Sequence, residues 1–423
     1  MFFTSFKNTV LLFVLILISC GNGRQTGDGR LMLDEEQNNK MQHQVQYDKE
    51  IIVGANQTDL YLSLLKDKRV GVVANQTSVI FTDGGQKKED RSYIHLVDSL
   101  LSLNINIKKV FTPEHGFRGK ADAGEHVEDD IDRKTNLPII SLHGKYRKPT
   151  QDSLKGLDIL VFDIQDVGVR FYTYISTLHN VMEACAEAKI PVLILDRPNP
   201  NGYYVDGPTL KIEHKSFLGM HPIPLVHGMT IAEYATMVNG EKWLADSLQC
   251  KIMIVPVKNY IHSTLYSLPI RPSPNLPNDK SITLYPSLGL FEGTNINAGR
   301  GTEFQFQRYG APFLDTETMK FTYTPEANFG AKYPKHKGKL CFGEDLSNDK
   351  IFGKMTLKWI IKAYQNSTDK SKFFNTDNFT KHAGTTQLQK QIEAGMLEAD
   401  IKTTWQDDLE AFKKVRRKYL LYD

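Results

Sequence analysis

The sequence predicts an α/β fold, in which a doubly wound, mostly parallel sheet is followed by a smaller α+β domain. Short apolar runs alternate with amphipathic segments, the runs lack polar/apolar alternation, and the composition changes near Pro256. A chain of 423 residues is too long for one ordinary core and suits two domains. The apolar content of 40% and charged content of 24% are typical of globular proteins.

The first domain is predicted over residues 50–255. Runs typical of buried parallel strands lie at 70–74, 107–111, 138–142, 157–162, 191–195 and 251–255. The amphipathic segment at 174–188 predicts a helix, because its apolar residues recur at helical spacing. Thr230 and Glu233 have the spacing of a capping box, which predicts that another helix begins there.

The second domain is predicted over residues 256–423 and is expected to close over the first. Four prolines between 269 and 277 break regular structure, and a segment rich in Gly and Asn follows at 287–310. The later predicted elements are strands at 321–323 and 339–342 and helices at 356–364 and 407–421.

The first twenty residues resemble a bacterial lipoprotein signal. Lys7 precedes an apolar run that is too short to span a bilayer and that ends in Ser19 and Cys20. We expect residues 1–20 to be a signal peptide with Cys20 as the lipidated residue; a plain secretory signal is the alternative. Residues 21–49 are predicted to be a flexible tether. The protein is therefore expected outside the cytoplasm, in the periplasm or at the outer membrane, held to a membrane by its lipid.

Charge, cysteines and motifs exclude several kinds of function. A net charge of +3 gives no bulk attraction to nucleic acid. Cys185 and Cys250 are predicted to be buried, inert thiols, and no Cys-x-x-Cys or His-Glu-x-x-His motif occurs. Neither a dinucleotide fingerprint nor a P-loop is present. We therefore expect no metal and no nucleotide cofactor, and binding through a local site.

Polar clusters follow five of the predicted strands. Open α/β sheets bind ligands beyond the carboxyl ends of their strands, so these clusters are predicted to share one rim. The candidate residues are Asn75, Glu114, His115, His143, Asp163, Gln165, Asp166, Arg170, Asp196, Arg197 and Asn199. Among these, Glu114 is the most suggestive of function, because it ends an apolar strand and is followed by His115 and Gly116.

Each of these residues also has a structural interpretation. Asp196 and Arg197 can form a local ion pair at a strand end. Asp163 and Asp166 can cap the helix that begins near residue 172, with Arg170 neutralising them. His143 suits an ordinary turn, and Glu114 would suit a helix N-terminus if a helix began there.

A second polar cluster lies at residues 290–303, in the predicted smaller domain. Its candidate residues are Glu292, Asn295, Arg300 and Glu303, placed among glycines that permit close approach of a ligand to the backbone. Arg271 and Asn275 belong to a nearby segment that prolines stiffen. A guanidinium binds a carboxylate through two hydrogen bonds while Asp and Asn bind hydroxyls, so this set suits an anionic sugar.

Six blocks of sequence, found in this order, resemble those of the NamZ-type exo-β-N-acetylmuramidases. They are PEHG at 113–116, DIQDVGVRFYTY at 163–174, LDRPNP at 195–200, HGMTIAE at 227–233, RPSPNLP at 271–277 and SLGLFEGTNINAGRGTE at 287–303. The resemblance extends from about residue 50 to the C-terminus. It implies a Rossmann-like domain, a smaller C-terminal domain and an active site in the cleft between them.

The resemblance also implies an activity: release of N-acetylmuramic acid from the non-reducing end of peptidoglycan fragments. Glu114 is the implied catalytic residue, and glycoside hydrolysis requires such a general acid. A non-catalytic lipoprotein that binds peptidoglycan is the alternative function. An esterase or amidase is disfavoured, because no G-x-S-x-G motif is present.

The second catalytic group stays open. The catalytic set is predicted as Glu114, His115 and Glu303, with His115 in a positioning role. Glu292 is an alternative to Glu303, as is a carboxylate of Asp163 or Asp166. The substrate's own acetamido group could also attack, so a retaining, an inverting and a substrate-assisted mechanism all remain possible.

Overall fold

The computed structural model describes residues 50–82, 92–119, 129–350 and 353–423. The predicted signal peptide, tether and lipidated Cys20 lie outside these ranges. Within them, no helix combines the length and the apolar character needed to cross a membrane.

The strands in chain order are β1 (Val70–Ala74), β2 (Val79–Phe81), β3 (Tyr93–His95), β4 (Ile107–Thr112), β5 (Asp130–Ile131), β6 (Pro138–Ser141), β7 (Ile159–Asp163), β8 (Val192–Leu195), β9 (Ile252–Val255), β10 (Arg308–Ala311), β11 (Phe321–Tyr323) and β12 (Cys341–Asp345). The α-helices are α1 (Thr58–Leu65), α2 (Leu96–Ser102), α3 (Gln151–Leu154), α4 (Tyr174–Ala188), α5 (Ile231–Gly240), α6 (Asp279–Leu288), α7 (Lys358–Gln365), α8 (Thr376–Ala383), α9 (Gln387–Glu393), α10 (Glu398–Thr403) and α11 (Gln406–Arg416).

Seven strands form the central sheet, in the order β5-β6-β4-β1-β7-β8-β9. All neighbours are parallel except β5 and β6. The six parallel strands, numbered by their order in the chain, follow the 3-2-1-4-5-6 order of a Rossmann-like, doubly wound sheet. β1 and β7 are wholly buried, as parallel strands covered on both faces should be. The predicted fold class is confirmed, and each of the six predicted strands is present.

The helices beside this sheet begin and end where the local sequence directs. α4 has the predicted bounds and buries a broad apolar face. α5 begins with the predicted capping box, in which the Thr230 side chain accepts from the Glu233 N–H and the Glu233 carboxylate accepts from the Thr230 N–H. The same carboxylate accepts a hydrogen bond from Leu421 N at 2.8 Å. The C-terminal residues are thereby attached to α5.

The C-terminal part contains a small antiparallel sheet, β10-β12-β11, and helices α6 to α11. β11 and β12 overlap the two predicted strands, and α7 and α11 overlap the two predicted helices. α6 was not predicted, because the neighbouring prolines indicated irregular structure. It begins at a capping box formed by Asn278 and Ser281, a signal present in the sequence. The predicted domain boundary at 255/256 remains a prediction.

One hydrophobic core connects the sheet to the C-terminal part. It includes Leu160 of β7, Leu178 of α4, Tyr285 of α6 and Trp359 of α7, all of them buried. Residues 50–423 therefore form a single compact unit. The buried thiols of Cys185 and Cys250 belong to this core, as predicted.

Candidate active site

Glu114 lies in a tight turn directly after β4. His115 and Gly116 both have left-handed backbones, with φ of 76° and 75°, and Gly116 N donates to Pro113 O at 3.2 Å. A non-glycine residue held at positive φ is uncommon and is often found at functional sites. No helix begins at this turn. Glu114 therefore does not stabilise a helix N-terminus, which was its structural interpretation.

Two cavities have Glu114, Glu292 and Arg300 in their walls. The larger has a volume of about 420 Å³, and its wall also includes Asn297, Gly330 and Tyr333. The smaller, of about 130 Å³, extends to His115, Tyr172, Tyr174, Ser273, Asn275, Tyr285 and His382. The larger volume lies within the range of small-molecule sites, about 300–1,000 Å³. The three shared residues lie where the two cavities meet.

Glu292 and Arg300 form an ion pair at this junction, with 3.0 Å between Arg300 Nε and Glu292 Oε1. Burial favours the neutral form of Glu292, but the charges of Arg300 and Lys335 lower the pKa of Glu292 to about 2. Burial likewise opposes the charge of Arg300, yet Glu292 and, less strongly, Glu114 raise its pKa. The site thus contains one carboxylate that stays ionised throughout the neutral range.

Lys335 fixes the backbone that bears Glu292. Its ammonium, which has three donors, lies within hydrogen-bond distance of four carbonyl oxygens: Phe291 O at 2.9 Å, Glu292 O at 3.3 Å, Thr294 O at 2.6 Å and Ile296 O at 3.3 Å. Burial lowers the pKa of Lys335, against the attraction of Glu292. A half-buried cation surrounded by carbonyl dipoles holds the 3-10 turn Gly289–Gly293 and the residues after it in one conformation.

The wall behind Glu114 is built from the first turn of α4 and the residues before it. Thr173 Oγ1 donates to Glu114 Oε2, and the Tyr174 hydroxyl donates to Glu114 O, each at 3.4 Å. The Tyr172 hydroxyl donates to Pro272 O at 2.8 Å. Burial raises the pKa of Tyr174, and the charge of Glu114 raises it further. These contacts orient the Glu114 carboxylate toward the cavities.

Five of the predicted site residues are brought together by the fold. Glu114, His115, Asn275, Glu292 and Arg300 line one or both cavities. Asn275 Nδ2 donates to Gly330 O at 2.5 Å, whereas its Oδ1 is buried without a hydrogen-bond partner among the described residues. A buried acceptor left unpaired in a cavity wall is a position where a donor from water or from a ligand would bind.

Asp163 and Arg197 lie inside the fold and line neither cavity. Arg197 Nε donates to Asp163 Oδ1 at 2.6 Å, and Nη2 donates to Asp163 Oδ2 at 2.9 Å. Both side chains are almost wholly buried. Burial raises the pKa of Asp163 despite the neighbouring guanidinium. The two charges neutralise each other beneath the rim of the sheet. Neither side chain is therefore placed to contact a ligand in the cavities.

Arg170 is also buried, but it does not neutralise a carboxylate. Its guanidinium donates to Pro208 O at 2.8 Å, Ile223 O at 2.9 Å and His382 O at 3.0 Å. Burial lowers the pKa of Arg170 to about 9. Arg170 therefore connects three backbone segments behind the smaller cavity. In this position it supports the cavity wall, whereas the sequence had predicted that it contacts the substrate.

Four other predicted binding residues are satisfied by the protein itself. Asp196 accepts from Ala232 N at 3.0 Å and from the Tyr422 hydroxyl at 2.6 Å. Gln165 donates to Pro198 O at 2.7 Å, and Asn199 donates to Met229 O at 2.9 Å. Asn75 donates to the Tyr174 hydroxyl at 2.9 Å. They organise the rim of the sheet, and of the four only Asn75 contacts a side chain of the cavity wall.

Asp166 lies beneath the aromatic wall, beside His227. Burial raises the pKa of Asp166 to about 7, although the Gly168 N–H donates to its Oδ2 at 2.7 Å. His227 Nδ1 accepts from Met229 N at 3.2 Å, so the ring proton resides on Nε2, which is 3.8 Å from Asp166 Oδ2. Burial lowers the pKa of His227 to about 3. Asp166 is thus a buried carboxyl group outside the cavities.

The remaining predicted residues lie on the surface. Arg271, Asn295 and Glu303 are exposed and line neither cavity. Asn295 donates to Lys372 O at 2.5 Å. Although Glu303 is only three residues beyond Arg300, the chain has turned away from the cavities by that point. Glu292, and not Glu303, is therefore the candidate for the second catalytic carboxylate that shares the cavities with Glu114.

The cavity walls also contain several residues that were not predicted from the sequence. These are Thr173, Tyr172, Tyr174, Tyr285, Asn297, Tyr333, Lys335 and His382. Tyr172 to Tyr174 belong to the block DIQDVGVRFYTY, and aromatic residues directly after a strand-end cluster are the signal that the sequence offers for them. Lys335 gives no such signal, because its carbonyl contacts depend on the whole fold. In the part of the chain described, no three His, Cys, Asp or Glu side chains are grouped to hold a metal.

Two glutamates line one cleft beside the doubly wound sheet, and one of them is held ionised; a pair of carboxyl groups is what glycoside hydrolases use. The family models agree with this class. Residues 70–280 match the N-terminal model of the exo-β-N-acetylmuramidase NamZ, and residues 283–422 match its C-terminal model. The chain belongs to the NamZ family.

Relatives extend over most of the chain. The peptidoglycan β-N-acetylmuramidase NamZ of Bacillus subtilis (strain 168) is 40% identical over 381 residues, 86% of this chain and 89% of that protein. A crystal structure of a DUF1343 family protein from Bacteroides fragilis NCTC 9343 is 46% identical with a TM-score of 0.79, covering 89% of this chain and 99% of its own. A second DUF1343 structure from that strain is 27% identical with a TM-score of 0.73, covering 88% and 99%.

Proposed function

We propose that the protein releases N-acetylmuramic acid from the non-reducing end of peptidoglycan fragments. The observation that carries the proposal is the junction of the two cavities, where Glu114, Glu292 and Arg300 share one surface. The relationship to a peptidoglycan β-N-acetylmuramidase supports the same substrate class. Cell-wall turnover or recycling is the process that such an exo-acting hydrolase would serve.

Glu114 is proposed as the general acid. Thr173 and Tyr174 hold it at the junction, and glycosidic cleavage needs a carboxylic acid that protonates the leaving oxygen. Glu292 is proposed as the second carboxylate. Because Arg300 and Lys335 keep it ionised, it can act as a base toward water, as a nucleophile, or as the charge that stabilises an oxocarbenium-like transition state. Glycoside hydrolysis commonly uses two carboxyl groups, one protonated and one ionised.

Arg300 and Asn275 are proposed to recognise the sugar. Arg300 uses Nε for Glu292, and among the described residues its two terminal nitrogens have no hydrogen-bond partner. Those nitrogens are suited to the lactyl carboxylate that distinguishes muramic acid from other amino sugars. The unpaired Oδ1 of Asn275 is suited to an amide or hydroxyl donor of the same sugar.

The test is cleavage of a defined disaccharide, N-acetylmuramic acid linked β-1,4 to N-acetylglucosamine. The purified full chain in mild detergent should release both sugars, as followed by chromatography. Glu114→Gln should keep its melting temperature and lose at least about two orders of magnitude in kcat. Glu303→Gln is the matched control, because it removes an exposed carboxylate outside both cavities, and it should retain full activity.

Other outcomes of this assay select between functions. A melting temperature that rises with the disaccharide while the sugar stays intact would establish the non-catalytic binding protein instead. Near-normal turnover in Glu114→Gln would remove the acid role from that residue. A loss of activity in Glu303→Gln equal to that in Glu114→Gln would restore Glu303 as the second carboxylate.

We also propose that the protein works outside the cytoplasm, attached to a membrane by a lipid on Cys20. The support is the sequence Leu17-Ile18-Ser19-Cys20 after a short apolar run. Cells fed a labelled fatty acid should incorporate the label into the wild-type chain and not into Cys20→Ser. Equal labelling of both chains would exclude Cys20 as the anchor.

A further inference from the structure

Tyr333 combines two properties that the proposed chemistry does not use. Its side chain forms part of the wall of the larger cavity, and it is 90% exposed. An exposed aromatic residue is ordinary when it lies alone on a surface. At the mouth of a cavity that accepts a sugar, a bare aromatic face offers an apolar surface to the C–H groups of a pyranose ring.

The segment that carries Tyr333 is firmly held in place. We define the rim segment as residues 328–338. Its backbone is held from two sides, because Gly330 O accepts from Asn275 Nδ2 at 2.5 Å and Lys335 O accepts from Asn297 Nδ2 at 2.9 Å. His336 Nε2 lies 2.6 Å from Asn295 O. The exposure of Tyr333 is therefore a consequence of a fixed backbone, and the ring is displayed before any ligand arrives.

The position of Tyr333 relative to the carboxylates decides which sugar it contacts. Glu114 and Glu292 lie where the cavities meet, so the scissile bond lies there too. The terminal sugar then occupies one cavity and the leaving group occupies the other. The smaller cavity is lined by buried residues such as Tyr172 and Tyr285, and it suits the substituents of the terminal sugar. Tyr333 lines only the larger cavity, toward solvent, which is the direction in which the remaining glycan continues.

We propose that Tyr333 is a stacking platform for the sugar on the leaving-group side of the scissile bond. This inference rests on the proposed function and names a subsite for it. The ring binds the pyranose face through apolar contact, and no step of the bond cleavage involves it. Tyr333 is thus a specificity-determining residue, which favours a substrate that carries a second sugar.

The experiment compares Tyr333→Ala with Tyr333→Trp and with Phe329→Ala. Phe329 is the matched control, because it is 65% exposed on the same rim segment and lines neither cavity. For the muramyl disaccharide, Tyr333→Ala should raise KM about tenfold, a typical effect of losing an aromatic contact, with little change in kcat. Tyr333→Trp should keep KM within about twofold of wild type, and Phe329→Ala should not change it.

Product inhibition separates the two sides of the scissile bond. N-acetylmuramic acid alone should inhibit the wild type and Tyr333→Ala equally, because that sugar does not reach the platform. An unchanged KM in Tyr333→Ala would overturn the proposal, and so would weakened inhibition by the monosaccharide, which would assign the ring to the terminal sugar. Failure of the wild type to cleave the disaccharide would instead refute the proposed function itself.

Discussion

Arg300 Nε lies 3.0 Å from Glu292 Oε1, at the point where the two cavities of the site meet. Burial alone would favour the protonated form of Glu292, so its low pKa depends on this guanidinium and on Lys335. The ion pair therefore controls the pH at which the second carboxylate becomes protonated.

Arg300→Met should narrow the working pH range from the acidic side. Without the guanidinium, the opposing effect of burial raises the pKa of Glu292, so this group becomes protonated at a higher pH. The acidic limb of the pH profile of kcat/KM should then move up by at least one pH unit, and the maximum rate should fall. Arg133→Met removes an exposed arginine elsewhere and should leave the profile in place. An unshifted acidic limb in Arg300→Met would show that Glu292 does not limit the rate.

Arg197→Met should destabilise the fold without touching the cavities. The substitution leaves the Asp163 carboxylate buried and without its partner, and breaking such a pair costs about 3–5 kcal/mol. Urea denaturation should show this loss, and the double variant Asp163→Asn/Arg197→Met should recover part of it. The folded fraction of Arg197→Met should retain wild-type KM.

The pair formed by Arg69 and Asp158 is the control for that prediction. Its geometry is similar, with Nη2 to Oδ1 at 2.7 Å and Nε to Oδ2 at 3.0 Å, but it lies at the surface. Because solvent screens exposed pairs, Arg69→Met should change the unfolding free energy little. Equal losses in the two variants would mean that burial of the inner pair has no energetic consequence.

Asp166→Asn should stabilise the protein at neutral pH. Asp166 has a pKa of about 7 when folded and about 4 when unfolded, so the unfolded state releases its proton first as the pH rises. This carboxyl group therefore lowers the stability of the wild type progressively from pH 4 to pH 7, by up to about 4 kcal/mol. The asparagine variant avoids that loss.

The measurement is the unfolding free energy of both chains at several pH values. The advantage of Asp166→Asn should be small near pH 4, grow up to pH 7 and stay constant above it. His227 also titrates in this window, with the opposite slope, since its folded pKa is about 3. Both chains contain His227, so its effect cancels in the difference. A difference independent of pH would refute the raised pKa of Asp166.

The strands and their polar ends were predictable because both depend on local sequence. An uninterrupted apolar run such as β7 needs burial on both faces, and a break into Pro113, Glu114 and Gly116 can only be a strand end. Parallel strands then bring their carboxyl ends to one edge. Glu114, Asp163 and Asp196 each follow or end such a strand, so all three were predictable at the same edge.

The roles of these residues were less predictable, because local sequence does not show what lies above a strand end. Asp163 and Arg197 have the composition of a ligand site, but both side chains are buried and they neutralise each other. Glu292 and Glu303 belong to one glycine-rich run, and only the path of the folded chain directs the first inward and the second to solvent. Whether such a residue contacts a ligand therefore depends on neighbours that are distant in the sequence.

Lys335→Met should reduce activity through the backbone that carries Glu292. The three donors of the ammonium are surrounded by four carbonyl oxygens between residues 291 and 296, and methionine fills similar space without offering a single donor. Loss of the cation also removes one of the charges that lower the pKa of Glu292, although Arg300 remains. We expect kcat/KM to fall by roughly ten- to a hundredfold, a loss typical of mispositioned catalytic groups.

The control is Lys337→Met, which replaces an exposed lysine on the same rim segment and should behave like the wild type in the disaccharide assay. If the two variants were equally active, the carbonyl contacts of Lys335 would have no part in positioning Glu292.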